Sequence, residues 1–348
     1  MDPTFSSGTG AGAAAGNDPE VNTIVRLPNG QFLIGGYFTT YNGFPCNGLA
    51  RLNADGSFDA TFSTNLGADS YIVNVVAQPD GKILLTGSVY VGSATSGQSL
   101  VRLLAAGMPD PAFAPPAFPD FAIFSYSGPA IQVQADGKIL VASRVGVPSA
   151  GVPRLVRLNP NGSVDPSYQV GDGPNSLLIS IRLLANGRLL VAGSFTNFNG
   201  TLDRSLVQIT STGAVDASFQ PVIQTAGSIR DVVQQPDGKL LVGGSFSEIN
   251  GQAVRRVARF NPNGSLDATF AANTDIDGAV VSLALQPDGR LLAANPQTVR
   301  RLLATGSPDN SFVAPDFIGS NITKLLLQPN GRVFVGGNII RSNGLQLN

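Results

Sequence analysis

The chain has 348 residues, with no histidine, no tryptophan, a single cysteine and only four lysines. Each shortage removes something. Without histidine there is no Ser-His-Asp or Cys-His nucleophile pair, no imidazole acid–base chemistry and no ordinary catalytic zinc site. Without tryptophan a sugar site would lack its best stacking surface. Cys46 alone makes neither an internal disulfide nor a Cys-based metal cluster, and among Asn-Gly-rich neighbours it reads as an ordinary loop side chain. Charged residues are 13% and the formal net charge is −1, so the concentrated Lys/Arg excess that nucleic acid or an anionic membrane requires is missing. No apolar run approaches the roughly 18 residues that span a bilayer. A soluble chain without membrane insertion is expected.

The opening "MDPTFSSGTGAGAAAG" has no basic segment followed by an apolar core and is not a signal peptide. Sparse charge with abundant Gly, Ser, Thr and Asn suits exported β proteins. The expectation is the mature part of a longer secreted or cell-surface chain.

What is abundant is glycine (41) and proline (24), and it recurs in order. An Asp/Asn-Gly pair follows an apolar run seven times, at Gly30, Gly81, Gly137, Gly187, Gly238, Gly289 and Gly331. Between these lies a second signature, a Gly followed three residues later by Asp and six later by an aromatic: Gly56/Asp59/Phe62, Gly107/Asp110/Phe113, Gly162/Asp165/Tyr168, Gly213/Asp216/Phe219, Gly264/Asp267/Phe270 and Gly306/Asp309/Phe312. The opening Asp2 and Phe5 are the tail of a seventh. Asp-Gly or Asn-Gly between short apolar runs is a strong hairpin signal, because glycine takes positive φ without a Cβ clash.

Each repeat therefore holds two hairpins. In the fifth they are strand a "SIRDVVQQ", strand b "LLVGGSF", strand c "RVARFN" and strand d "LDATF". Four strands about every 50 residues is propeller spacing. Strand b scarcely alternates in polarity, as expected of a sheet covered on both faces. The expected fold is all-β, a single domain over residues 1–348: a seven-bladed β-propeller of four-stranded antiparallel blades, the last closed by the N-terminal strand. By the spacing of repeats one, two and five, strand c of the seventh repeat would fall at residue 352. Either Leu345 to Asn348 form a shortened strand c or the last blade is incomplete.

The segments "VVAQPDGKILLTG", "VVQQPDGKLLVGGSF" and "ARFNPNGSLDATF" resemble the delta-60 type β-propeller repeat of bacterial secreted and surface proteins, and the resemblance covers essentially the whole chain. It implies the fold and little about activity, since a repeat rather than a reaction defines that family. Repeat three departs with Ser143 and repeat six with Asn295 and a short loop.

The recurrent Asp, Arg and aromatic residues read as structural, since a catalytic group has no reason to appear once per repeat. Arg51, Arg102, Arg157, Arg259 and Arg301 are expected to fasten blades, with Gln208 in that place in repeat four. Seven further acids, Asp18, Asp69, Asp120, Asp172, Asp275, Asp277 and Asp316, fall in the d-to-a linkers. Those linkers share a face with the long b-to-c loops, opposite the glycine turns. That face also carries Phe118, Phe121, Phe124 and Tyr126, and variable loops on a rigid scaffold are where binding usually resides. No cofactor is expected; the acids leave calcium open, although no "DxDxDG" run supports it. Seven residues before each first Gly stand Thr23, Asn74, Ala130, Ser180, Asp231, Ser282 and Lys324, all small or polar and only Asp231 and Lys324 charged, which are candidates for lining an axial channel.

The leading expectation is a non-enzymatic binding or scaffold module, a monomer or part of a larger chain, holding a protein or glycan partner on the loop face. The alternatives are a propeller lyase or hydrolase using Asp, Tyr, Arg or a bound metal, and a plain structural spacer.

Overall fold

The computed structural model of the protein describes residues 8–13, 18–116, 131–142, 155–176, 178–202, 205–219, 221, 227–249, 251–270, 276–315, 317, 321–329, 331–339, 341–342 and 345–346. The described chain is all-β, with antiparallel sheets repeated in propeller fashion. Strands a, b and c pair in order in six repeats: Glu20–Arg26, Phe32–Tyr37 and Leu49–Leu52; Tyr71–Ala77, Ile83–Val89 and Gln98–Leu103; Ile131–Val133, Ile139–Ala142 and Leu155–Leu158; Leu178–Leu183, Leu189–Gly193 and Leu206–Ile209; Ile229–Gln234, Leu240–Gly244 and Val257–Phe260; Ser282–Leu285, Leu291–Ala294 and Val299–Leu302. The seventh pairs Asn321–Leu327 with Val333–Asn338. All seven a-to-b turn glycines sit at positive φ, from 77° at Gly187 to 91° at Gly30.

Strand d is shorter than its sequence suggests. In each of the first six repeats it makes one bridge to strand c, such as Leu52 with Phe58 and Phe260 with Leu266. The recurrent aspartate ends it: Asp59 Oδ1 accepts from Thr61 N at 2.9 Å and from Thr61 Oγ1 at 2.6 Å, which turns the backbone out of the ladder. Leu345–Gln346 pairs with Arg341–Ser342 and not with strand b, so it forms no shortened strand c. The opening Asp2 and Phe5 lie outside the described residues.

Among the described residues strand a carries a bulge in five repeats, between Val21 and Thr23, Ile72 and Asn74, Leu178 and Ser180, Ile229 and Asp231, and Ile322 and Lys324. The displaced backbone comes so near strand b that a side chain at Gly87 would run into the Tyr71 carbonyl, and one at Gly337 into that of Asn321. This accounts for the glycine at the end of strand b.

Seven apolar clusters hold the repeats together, each shared by two neighbours. Between repeats four and five, for instance, Phe219, Phe246 and Phe260 are fully buried beside Leu206 and Val242. Removing side chains of that size from water stabilises by about 1.5–3 kcal/mol each. Strand a of each repeat touches strand a of the next, and strands a and b of the seventh also touch strand a of the first. There Phe334 meets Phe32 edge-on at 4.7 Å between ring centroids.

Candidate functional site

At the turn end of each sheet the charges are consumed by structure. Asp267 Oδ2 accepts from Arg259 Nε at 2.8 Å and from Lys239 Nζ at 2.9 Å, while its Oδ1 accepts from Thr269 N and Oγ1. Asp165 does the same with Arg157, Lys138 and Ser167, and Asp110 with Arg102, Lys82 and the Ala112 amide. Asp59 uses Arg51, Gln31 and Thr61, and Asp309 uses Arg301, Arg290 and Ser311. Both oxygens of each carboxylate are engaged. None remains to act as a base or a metal ligand.

The consequences for titration differ in cause. Burial pushes Asp59 up, but hydrogen bonds from Thr61, Arg51 and Gln31 outweigh it and hold the carboxyl at about 2. Hydrogen bonds from Ser167 and Lys138 hold Asp165 well below the usual carboxylate range against a smaller opposing effect of burial. Asp267 ends equally low, because Thr269, Lys239 and Arg259 overcome its burial.

The expected fastening by arginine is visible atom by atom. Each guanidinium lies over its own repeat's aromatic ring, 4.4 Å from the centroid for Arg102 over Phe113 and 4.7 Å for Arg259 over Phe270. In four of them Nη1 then reaches the following repeat's c–d turn. Arg51 donates to Ala105 O at 3.2 Å, Arg157 to Ser211 O at 2.7 Å, Arg259 to Ala304 O at 2.8 Å, and Arg102 to Pro160 O. Repeat four redistributes the set. Gln208 stands where the arginine would be, and Arg188, one residue after the turn glycine, reaches Asp216 at 2.6 Å and Gln208 Oε1 at 3.2 Å. The cation after the turn glycine, Lys82, Lys138, Arg188, Lys239 or Arg290, is a second structural partner of the strand d aspartate that the sequence reading passed over. Its signal was the fixed spacing behind "DG" and "NG".

The residues expected at an axial channel are mostly withdrawn from solvent and tie adjacent repeats together. Thr23, Ser180, Asp231 and Ser282 are buried. Thr23 Oγ1 donates to Asn74 Oδ1 at 3.3 Å, Leu283 N to Asp231 Oδ2 at 2.8 Å, and Leu325 N to Ser282 Oγ at 3.2 Å. Lys324 Nζ lies 3.9 Å from Asp231 Oδ2. Side chains in one repeat thus accept from strand a amides of the next. Ala130 lies outside the described residues.

The loop end is built from small hairpins. Thr40–Tyr41 with Phe44–Pro45, Asn197–Phe198 with Thr201–Leu202, Glu248–Ile249 with Gln252–Ala253, and Arg341–Ser342 with Leu345–Gln346 stand at the same distance after their turn glycines. Each encloses an Asn-Gly pair, a third turn signature that was legible but unread. Asn42 and Asn199 have φ of 50° and 51°, followed by Gly43 and Gly200 at 80° and 78°. The same asparagines anchor the incoming linker: Asn42 Oδ1 accepts from Gly10 N at 2.9 Å, and Asn199 Oδ1 from Gly173 N at 2.7 Å. Ala11–Gly12 adds a third strand beside Thr40–Tyr41. In repeat six the hairpin is replaced by Asn295, whose Oδ1 accepts from Gln297 N at 2.8 Å and Thr298 N at 2.7 Å.

On this end Asp18, Asp69, Asp172 and Asp277 are all exposed, as is half of Phe44, which stacks on Phe58 at 4.9 Å. Among the described residues no three acids, cysteines or histidines gather closely enough to hold a metal ion. Asp120, Asp275, Asp316, Phe118, Phe121, Phe124 and Tyr126 lie outside the described residues. Cys46 is buried, and burial pushes its thiol up to about 12, so it is unreactive at neutral pH. Burial likewise raises Tyr168, which removes it as a neutral-pH base.

This repeated sheet, with its aspartate-centred clusters, is matched by the family model described as "domain of unknown function (DUF5122) beta-propeller" at residues 27–62, 78–113, 134–168, 184–219 and 235–270, just over half of the chain. The chain belongs to the DUF5122 β-propeller family. No curated protein matches it. Among solved structures, it is similar to virginiamycin B lyase from Staphylococcus aureus at 14% identity and TM-score 0.59, covering 94% of both chains. It is also similar to the WD40 β-propeller domain of Doa1, at 13% identity and TM-score 0.56, covering 95% of this chain and 94% of that one. A third likeness is to the extracellular domain of a putative hybrid two-component system from B. thetaiotaomicron, at 13% identity and TM-score 0.57. That alignment covers 94% of the present DUF5122 chain and 38% of the larger domain. At such identities these likenesses concern the fold alone.

Proposed function

We propose that the protein is a non-enzymatic binding or scaffold module of a secreted or cell-surface bacterial protein, a seven-bladed propeller of one domain that holds a protein or glycan on its loop end. The observation that carries this reading is the division of polar groups. The strand d aspartates and the turn lysines Lys82, Lys138 and Lys239 are spent on one another or on arginine, serine and threonine, whereas the loop end presents exposed acids on its linkers and a half-exposed phenylalanine on a short hairpin. Seven blades in a closed ring accord with contacts that run from each strand a to the next and from the seventh repeat to the first. The delta-60 resemblance and the low-charge composition favour an exported chain, and no helix among the described residues is long and apolar enough to cross a membrane.

The lyase likeness offers a competing reading. It meets a chemical obstacle, since a form of that lyase with one histidine replaced by alanine is catalytically inactive, and the present chain has no histidine. Arrays of glycans and bacterial surface proteins, probed with the wild type and with Asp69→Asn/Asp172→Asn/Asp277→Asn, test the proposal. Signal lost in the variant at unchanged melting temperature supports it. Signal that survives removes the loop end as the binding surface, and substrate turnover that the triple variant loses would show an enzyme.

A further inference from the structure

We propose that Arg230 and Arg256, at the loop end of repeat five, form a receiving site for the carboxylates of an acidic peptide segment. Backbone strain is the first pointer. Among the described residues four that are not glycine stand at positive φ; three are asparagines, which tolerate that region, and the fourth is Arg256, at 67°. Val257 N donates to Arg255 O at 2.7 Å across it, so Arg256 is the centre of a γ-turn of the rarer, strained hand. Repeat one has Gly48, at φ 80°, in the same place, since Gly36 N donates to Gly48 O just as Gly244 N donates to Arg256 O. The sheet needs no side chain there. A long cation at a glycine position is strain of the kind that gathers where a ligand is gripped.

Arg230 approaches from the other side of the same strand b. It is the residue displaced by the bulge between Ile229 and Asp231, and a bulge re-aims the side chain it displaces. The equivalent Asn22 and Thr323 donate to the Ile72 and Gly336 carbonyls at 3.0 and 3.2 Å, whereas Arg230 meets no acceptor among the described residues. Ile229 pairs with Gly244 on one side, and Arg256 O takes the Gly244 amide on the other at 2.9 Å. The two arginines thus flank a glycine, their backbones roughly 10 Å apart, two strand spacings. A Cβ on Gly244 would run into the Ser228 carbonyl, so the strand between them stays bare backbone.

Neither charge is compensated within the sheet. Arg51, Arg102, Arg157, Arg259 and Arg301 each hold a carboxylate, but no acid among the described residues lies within ion-pair distance of Arg230 or Arg256, both half-buried. Asp231, next in sequence, is occupied by Val232 N, Leu283 N and Ser282 Oγ. Arg256 rests Nη1 on the Ser245 carbonyl, which steadies the guanidinium and leaves Nε and Nη2 for a ligand. A guanidinium fork matches a carboxylate through two parallel hydrogen bonds. Carboxylates two residues apart on an extended peptide share a face about 7 Å apart, within reach of both arms. That spacing favours an acid-x-acid peptide over a single small anion. Phe246, whose carbonyl accepts from Arg256 N, is fully buried and offers a sugar no stacking face.

This inference rests on the loop-end binding reading and names one partner chemistry for it. The probe is a fluorescein-labelled peptide of alternating glutamate and serine, with a glutamine-for-glutamate peptide as control, read by anisotropy at low salt. Saturable binding with a Kd on the order of 0.1 mM is expected, weakened by salt and at least about ten-fold by Arg230→Gln or Arg256→Gly. Arg256→Gly should also leave the melting temperature level or higher, because glycine takes that φ without strain. A lower melting temperature with binding intact would mean that Arg256 serves the fold alone. The site is refuted if the glutamine peptide binds equally well, or if neither variant weakens binding. Inorganic phosphate or a uronic acid polymer binding as tightly as the glutamate peptide would overturn the peptide as occupant. A partner on the protein array that the triple aspartate variant loses and Arg256→Gly keeps would leave loop-end binding standing without this site. Array signal that survives the triple variant removes the reading beneath it.

Discussion

The two ends of the sheets differ in how they use the same residue types. At the turn end, the strand d aspartate recurs with each repeat, receives three or four donors and is buried in repeats one to five; at the loop end, Asp18, Asp69 and Asp277 are exposed twelve residues before their turn glycines, and Asp172 is exposed fifteen before its own. The lesson is that a side chain's count in a sequence says little until its donors are known. Turn-end aspartates are fixed by charge neutralisation in a desolvated site. Loop-end aspartates are exposed, and changing them is expected to cost the fold little.

Acid should expose this contrast most strongly. Carboxyls such as Asp59 and Asp267 titrate lower when folded than when unfolded, so the stability they contribute is fully present above the unfolded value of about 4 and is lost as pH falls toward about 2. Urea midpoints are expected to be level from pH 7 to about 5 and to drop steeply below about 4. A midpoint that declines steadily between pH 7 and 5 would place the pH-sensitive groups elsewhere. Next in size, Asp267→Ala strands Arg259 and Lys239 and should cost roughly 3 kcal/mol in denaturant unfolding. A loss below about 1 kcal/mol would mean the cluster is no more than a surface pair.

Repeat four sharpens the comparison from within the turn end. Arg188→Lys with Gln208→Arg restores the common arrangement and lets the new guanidinium reach the Pro262 carbonyl of repeat five, for an expected gain of about 1 kcal/mol. No gain would mean that the strap to the next repeat contributes nothing net. The smallest effect is predicted for Asp172→Asn at the loop end, within about 0.5 kcal/mol of wild type by thermal melting. A larger loss would erase the distinction between the two ends.

Much of the sheet framework was legible because glycine at positive φ is a local requirement, and both turn signatures fall where the chain reverses. The role of arginine was legible from its recurrence. Strand d was misjudged in length because "LDATF" has strand-like composition, while the competing turn depends on where the Asp59 side chain points. The inward row around Asp231 and Ser282 was read as solvent-facing because small polar residues suit a wet channel. Amides of the next repeat's strand a, Leu283 N and Leu325 N, instead donate to them, a contact between repeats that leaves no local mark in the sequence. The loop hairpins were within reach through Asn42-Gly43 and Asn199-Gly200, had a third glycine register been sought.

Repeats two and three carry both halves of the joint, the forward-reaching guanidinium and the carbonyl that receives the one behind it. Such a unit fits its neighbours without a bespoke junction. Duplicating or excising one of them would leave its joins matched, so a gene encoding such an array can change length by recombination there while the protein it specifies keeps its fit.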